Sequence, residues 1–72
     1  MMAIREERAE DVRRAITRLD DPYRETVMLR FFAELSLAEI AAATGRPVGT
    51  VKTHLFRGLL KLRTGLERES AT

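Results

Sequence analysis

Cysteine is absent from this chain and histidine occurs once. Disulfides and thiolate metal centres are therefore excluded, and a single imidazole leaves no ligand set for zinc. No apolar run approaches the roughly 20 residues that a membrane-spanning helix requires. The N-terminus is charged from Arg5 onward and has no apolar segment of the secretory kind. No repeat, no low-complexity segment and no strand-like alternation occurs, so neither a sheet nor a wing is expected. Catalytic groupings are missing as well. His54 has no nucleophile to serve and reads as structural or solvent-facing. The Glu6-Glu7 and Glu10-Asp11 pairs read as a solvated helix face. These absences lead to the expectation of a cytoplasmic, non-enzymatic protein with no metal, no cofactor and no membrane partner.

What is present is a short, charged and helical sequence. It has 72 residues, of which 44% are hydrophobic and 33% charged, a globular rather than a disordered balance. That length bounds it to one domain, with an ordered part expected over about residues 4–67 and a polar tail from Glu67 to Thr72 that frays. The net charge of +2 says little until it is divided along the chain. Residues 1–34 carry seven basic and eight acidic side chains, whereas residues 35–72 carry six basic and three acidic. The positive excess is confined to the second half.

Apolar spacing predicts four helices in an all-α, compact arrangement. The first covers roughly residues 3–18, with Val12, Ala15, Ile16 and Leu19 on one face. Asp20-Asp21-Pro22 ends it and opens the second, with Asp21 as N-cap and Pro22 at the first helical position. The second runs to about Ala33, and its expected inward stripe is Val27, Met28, Phe31 and Leu35. The third covers Leu37 to Thr44 and the fourth about Pro47 to Glu67. Arg46 is a poor cap, so spacing alone leaves the start of the fourth open. Every connection is short, which forces the helices to pack closely.

The third and fourth helices carry the signature of a helix-turn-helix. Ser36 and Glu39 have the spacing of a reciprocal capping box, which makes Glu39 a cap rather than an acid catalyst. Gly45 can adopt the left-handed conformation that stops a helix. Ala41 is small where two helices would cross. A short turn containing glycine between two helices marks this motif.

Helical geometry then sorts the fourth helix. At about 100° per residue, Val48, Val51, Leu55, Leu59, Leu62 and Leu66 share one sector and form the expected core stripe. Gly49, Thr53, Phe56, Arg57 and Leu60 fall on the opposite side, with Lys52 flanking them. Gly58 borders the stripe, where it would allow a neighbouring helix to approach. No aspartate or glutamate occurs from residue 40 through residue 66, while Arg46, Lys52, Arg57, Lys61 and Arg63 lie in that span. Uncompensated positive charge of this kind suits a polyanion.

The motifs together resemble region 4 of bacterial sigma-70 family factors, most nearly those of the extracytoplasmic-function type. The resemblance rests on Leu19-Asp-Asp-Pro-Tyr-Arg-Glu-Thr-Val-Met-Leu-Arg, Leu37-Ala-Glu-Ile-Ala, Pro47-Val-Gly-Thr-Val-Lys-Thr and the basic segment from Arg57 to Arg63, and covers about residues 15–68. It implies a four-helix domain that reads the −35 element of double-stranded promoter DNA while docked on the β flap of RNA polymerase, with an anti-sigma protein as a further partner. By position, the family's DNA contacts fall on Lys52, Thr53, Phe56 and Arg57, and Arg30 and Arg46 are further candidates for phosphate. His54 stands where the family usually has arginine, and Gly58 where it usually has alanine. The segment Thr50-Val-Lys-Thr-His also resembles the DNA-binding domain of LuxR-type response regulators, the nearest rival. A region that reads the −10 element is not among these residues, so a part of a longer factor is expected.

Individual residues keep alternatives. Arg57 reads as a base or phosphate contact or as a solvated helix residue. Lys52 points obliquely and suits phosphate better than a base edge. Phe56 either turns into the core or offers an apolar contact to a thymine methyl or a sugar. Met28 reads as core filler. Leu60 is an ordinary surface leucine or a partner contact.

Overall fold

The computed structural model describes residues 2–71, with side chains described over 9–68. It contains α1 (Met2–Thr17), α2 (Tyr23–Phe31), α3 (Leu37–Thr44) and α4 (Val48–Ala71), and no strand occurs among the described residues. The four-helix, all-α expectation holds. α2 and α4 form the central pair, and each also packs against α1 and α3.

The core follows from the apolar spacing on α1. Ala15, Ile16 and Leu19 are buried against Val27 of α2 and Leu62 of α4, with Val12, Tyr23, Met28, Leu55, Leu59 and Leu66 packed around them. The α2–α4 contact depends on Gly58. A Cβ placed on that residue would lie 2.9 Å from Val27 Cγ2 and 3.4 Å from Tyr23 Cβ, closer than the first pair of carbons can rest. The missing side chain lets the two helices approach where Tyr23 and Val27 meet α4.

That approach corrects the expected face of α2. Val27 is fully buried and Met28 half-buried, but Phe31 is 52% exposed. Leu35 beyond the helix is half-buried, so of the expected stripe Phe31 is the residue that departs. Tyr23 and Thr26 join Val27 on the inward face, at i, i+3 and i+4. Thr26 is fully buried and its hydroxyl donates to the Pro22 carbonyl at 2.9 Å. A polar residue can occupy this face because its hydrogen bond is made within its own helix.

The helix ends differ slightly from expectation. Pro22 is the N-cap of α2 rather than its first residue. Asp21 still serves the helix start, because its carboxylate accepts from the Glu25 backbone N–H at 3.2 Å and pairs with Arg24 at 3.0 Å. α4 continues past Glu67 to Ala71, since no residue among Arg68, Glu69, Ser70 and Ala71 breaks a helix.

The capping box at the start of α3 is complete. The Glu39 N–H donates to Ser36 Oγ at 3.1 Å, and the Ser36 N–H donates to Glu39 Oε1 at 2.7 Å. Hydrogen bonds from the Ser36 backbone and then from its hydroxyl hold the Glu39 carboxyl below its ordinary range. A depressed carboxyl pKa stabilises the folded state above the ordinary range, and that contribution is lost as pH falls through the lowered value. Ser36→Ala is expected to lower stability by about 0.5–2 kcal/mol, the usual worth of an N-cap hydroxyl. Urea unfolding indistinguishable from the parent would show that the cap contributes nothing.

Candidate nucleic-acid interface

The turn between α3 and α4 is built as its residues require. Gly45 takes φ of 71° and its N–H returns to the Ala41 carbonyl at 2.9 Å, as does that of Arg46 at 3.2 Å. This left-handed stop redirects the chain within two residues. α3 then packs on α4, with Ile40 and Val51 both fully buried.

α4 is 24 residues long, about 36 Å at 1.5 Å per residue. Its inward side is Val51, Leu55, Gly58, Leu59, Leu62 and Leu66, all buried or half-buried. Val48 departs from the expected stripe and is 51% exposed. It opens the helix at the turn, before α4 reaches the packed region that begins at Val51. Gly49, Thr53, Phe56, Arg57 and Leu60 are all exposed, as the helical spacing requires, and Lys52 is exposed beside them. Phe56 is 65% exposed, which decides its alternatives in favour of the outward one.

The six expected contact residues divide into two groups. Lys52, Thr53, Phe56 and Arg57 share the exposed side of α4. Thr53 is braced by its hydroxyl donating to the Gly49 carbonyl at 3.1 Å. Neither Lys52 nor Arg57 has an ion-pair partner among the described residues. Arg46 and Arg30 lie off this helix and are engaged. Arg46 Nη1 sits 2.9 Å from Glu25 Oε1, tying the turn back to α2. Arg30 Nη1 donates to the Leu35 carbonyl at 3.4 Å. Both remain exposed enough to meet a phosphate, but Arg46 must share its charge with Glu25.

The opposite shoulder of α4 is structural. The His54 ring meets Tyr23 edge-on, with centroids 6.0 Å apart and planes at 85°. Lys61 Nζ lies 5.2 Å from the centre of the same tyrosine ring. His54 Nδ1 is buried with no hydrogen-bond partner among the described residues. His54 therefore packs rather than reads, and part of the Lys61 charge is spent on Tyr23. No sequence signal announces these contacts or the Glu25–Arg46 pair, because the partners lie 21 or more residues apart.

Beside the exposed row, a surface groove of about 700 Å³ runs between the start of α3 and α4. Leu37, Leu55, Phe56, Leu59 and Leu60 form its apolar walls, with Lys52 and Arg57 at the rim. No grouping of metal-binding side chains occurs among the described residues, and no helix there is long and apolar enough to cross a membrane.

The exposed, acid-free row thus lies on the second helix of a helix-turn-helix, the element that such motifs place in the major groove. Residues 9–62 match the family described as Sigma-70, region 4. The chain belongs to the sigma-70 region 4 family. It is 42% identical over 59 residues to the RNA polymerase sigma factor SigV of Bacillus subtilis, covering 82% of this chain and 36% of that protein. It is 44% identical over 55 residues to the ECF RNA polymerase sigma factor SigW of the same organism, covering 76% and 29%. The ECF RNA polymerase sigma factor RpoE of Cereibacter sphaeroides is 42% identical over 50 residues, covering 69% and 28%. This region 4 chain thus spans about a third of the length of the curated relatives it matches.

Proposed function

We propose that this region 4 domain binds the −35 element of promoter DNA as part of a longer sigma factor acting in the cytoplasm. The observation that carries the reading is the exposed side of α4. Thr53, Phe56 and Arg57 point outward together, Lys52 flanks them, and no carboxylate occurs from residue 40 through residue 66. Helix α4 enters the major groove, cations position it on phosphates, and Thr53, Phe56 and Arg57 discriminate bases. The domain works by recognition, with no chemical step.

RNA polymerase is the protein partner in this reading, through its β flap, with an inhibitory anti-sigma protein as the second. Phe31 and Phe32 at the end of α2 are 52% and 47% exposed, and such apolar surface supports protein contact. Docking on polymerase also meets an energetic need. One small module buries only roughly 600–1,000 Å² of protein surface on DNA, so its own affinity is low. Tethering raises its effective concentration at a promoter.

Two measurements test the proposal. The isolated chain should bind DNA weakly and lose affinity steeply as salt rises, as release of phosphate counterions demands. Lys52→Ala should weaken binding to all sequences alike and reduce the salt slope by about one unit. A base-selective loss would move Lys52 from phosphate to base contact, and salt-independent binding would remove the DNA-reading role altogether. In a transcription assay on a matched promoter, core polymerase with this chain alone should not initiate. An excess of the chain should compete with the intact sigma factor.

A further inference from the structure

We propose that Leu60 is a fourth reading position on α4, placed to contact the C5-methyl group of a thymine in the major groove. This inference rests on the DNA-reading role of α4 and extends it to a residue that is not among the contact positions implied by the resemblance.

Position comes first. Thr53, Phe56, Arg57 and Leu60 stand at i, i+3, i+4 and i+7, and all four are exposed. They form one straight row about 10.5 Å long. Homeodomain-type recognition helices place four side chains on base edges with the same spacing. If Thr53, Phe56 and Arg57 face the floor of the groove, the next turn of the same helix brings Leu60 to it as well.

Surroundings come second. Leu60 is 49% exposed and stands between two surface grooves, one that it shares with Leu37 and Phe56 and one that it shares with Leu19 and Asp20. Arg57, Lys61 and Arg63 flank it in sequence, and the nearest carboxylates on either side along the chain are Glu39 and Glu67. In space Asp20 lines a surface groove with Leu60, and Arg63 pairs with Glu67 at 3.4 Å. The cations beside Leu60 with no carboxylate partner among the described residues are therefore Arg57 and Lys61. Apolar surface next to such cations complements DNA, whose phosphates border the apolar features of the groove floor. Phe56, 65% exposed one turn earlier, continues the apolar surface along the row.

Chemistry fixes the ligand. A leucine side chain neither donates nor accepts a hydrogen bond, so it cannot distinguish the amino, carbonyl and ring-nitrogen groups of the base edges. The apolar group presented in the major groove is the thymine methyl. Leu60 can therefore select thymine and little else.

The test uses a duplex selected by this chain from a random library, together with variants in which each thymine in turn is replaced by deoxyuridine. That replacement removes one methyl group and nothing more. The parent chain should lose about fourfold in affinity at one thymine, the worth of one buried methyl-sized group. Leu60→Ala should become indifferent to the methyl at that position while answering to the other thymines as the parent does. Leu60→Met, which keeps an apolar tip, should retain the response. Because Leu60 is half exposed, both variants should show parental helicity and unfolding. If Leu60→Ala keeps the parent's methyl response at every thymine, the proposal is overturned. It is equally overturned if Leu60→Ala binds the selected duplex as tightly as the parent, including the case where it loses affinity for polymerase instead and so assigns Leu60 to a protein partner. Loss of binding by Arg57→Ala in the same experiment would leave the DNA-reading role standing while Leu60 fails. Selection of no duplex by the parent chain would end both.

Discussion

Ile40→Ala is expected to cost about 2–5 kcal/mol of stability, the range for truncating a fully buried isoleucine. Ile40 is 0% exposed and is the buried residue of α3, an eight-residue helix whose other side chains are exposed or half-buried. Removing three carbons there leaves a cavity where α3 packs on its neighbours, which the short helix can close only by shifting. A chain of this size holds in total about 4–11 kcal/mol, at 0.05–0.15 kcal/mol per residue. The loss is thus a large fraction of the whole. Urea unfolding should show a lower midpoint with little change in slope. DNA affinity should fall with the folded fraction and recover on cooling or on adding stabilising osmolyte. A cost below about 1 kcal/mol would mean that α3 is held by its caps and not by Ile40.

Arg57→Ala should leave stability nearly unchanged but weaken binding to the cognate duplex by about 1–3 kcal/mol, with relaxed preference at one base pair. The size of this effect follows from what Arg57 does in the free protein. It has no carboxylate partner among the described residues, so its five donors are available to a guanine edge without breaking an internal contact. Arg46 is the useful contrast. Its guanidinium already lies 2.9 Å from a Glu25 oxygen, and part of any gain from phosphate offsets the weakening of that pair. Arg46→Ala should therefore cost less in binding than Arg57→Ala, and should do so equally for all sequences. Equal binding by the parent and Arg57→Ala across a panel of single-base variants would remove base reading from Arg57.

The most local features were legible in the sequence. Ser36, Glu39 and Gly45 act through bonds that span five residues or fewer, so their spacing alone determined both ends of α3. The row Gly49, Thr53, Phe56, Arg57 and Leu60 followed from helical geometry. A helix that must bury Val51, Leu55 and Leu62 has to turn that row to solvent. The stretch without carboxylates is a property of the sequence by definition, and with the row it already pointed to DNA.

Tertiary packing decided what periodicity could not. α2 is nine residues long and carries apolar side chains on more than one face, so Val27 fitted several stripes. The absence of a side chain at Gly58 selected the face holding Tyr23, Thr26 and Val27, and left Phe31 outside. Val48 belongs to the core stripe by angle but lies beyond the reach of the neighbouring helices. The availability of each cation was also decided in three dimensions. Glu25 reaches Arg46 and Tyr23 reaches Lys61 only because α2 crosses α4, whereas Lys52 and Arg57 stand on the side that α2 does not cover. Charge can be counted along a chain, but whether it is free for a partner depends on which side chains the fold brings within a few ångströms of it.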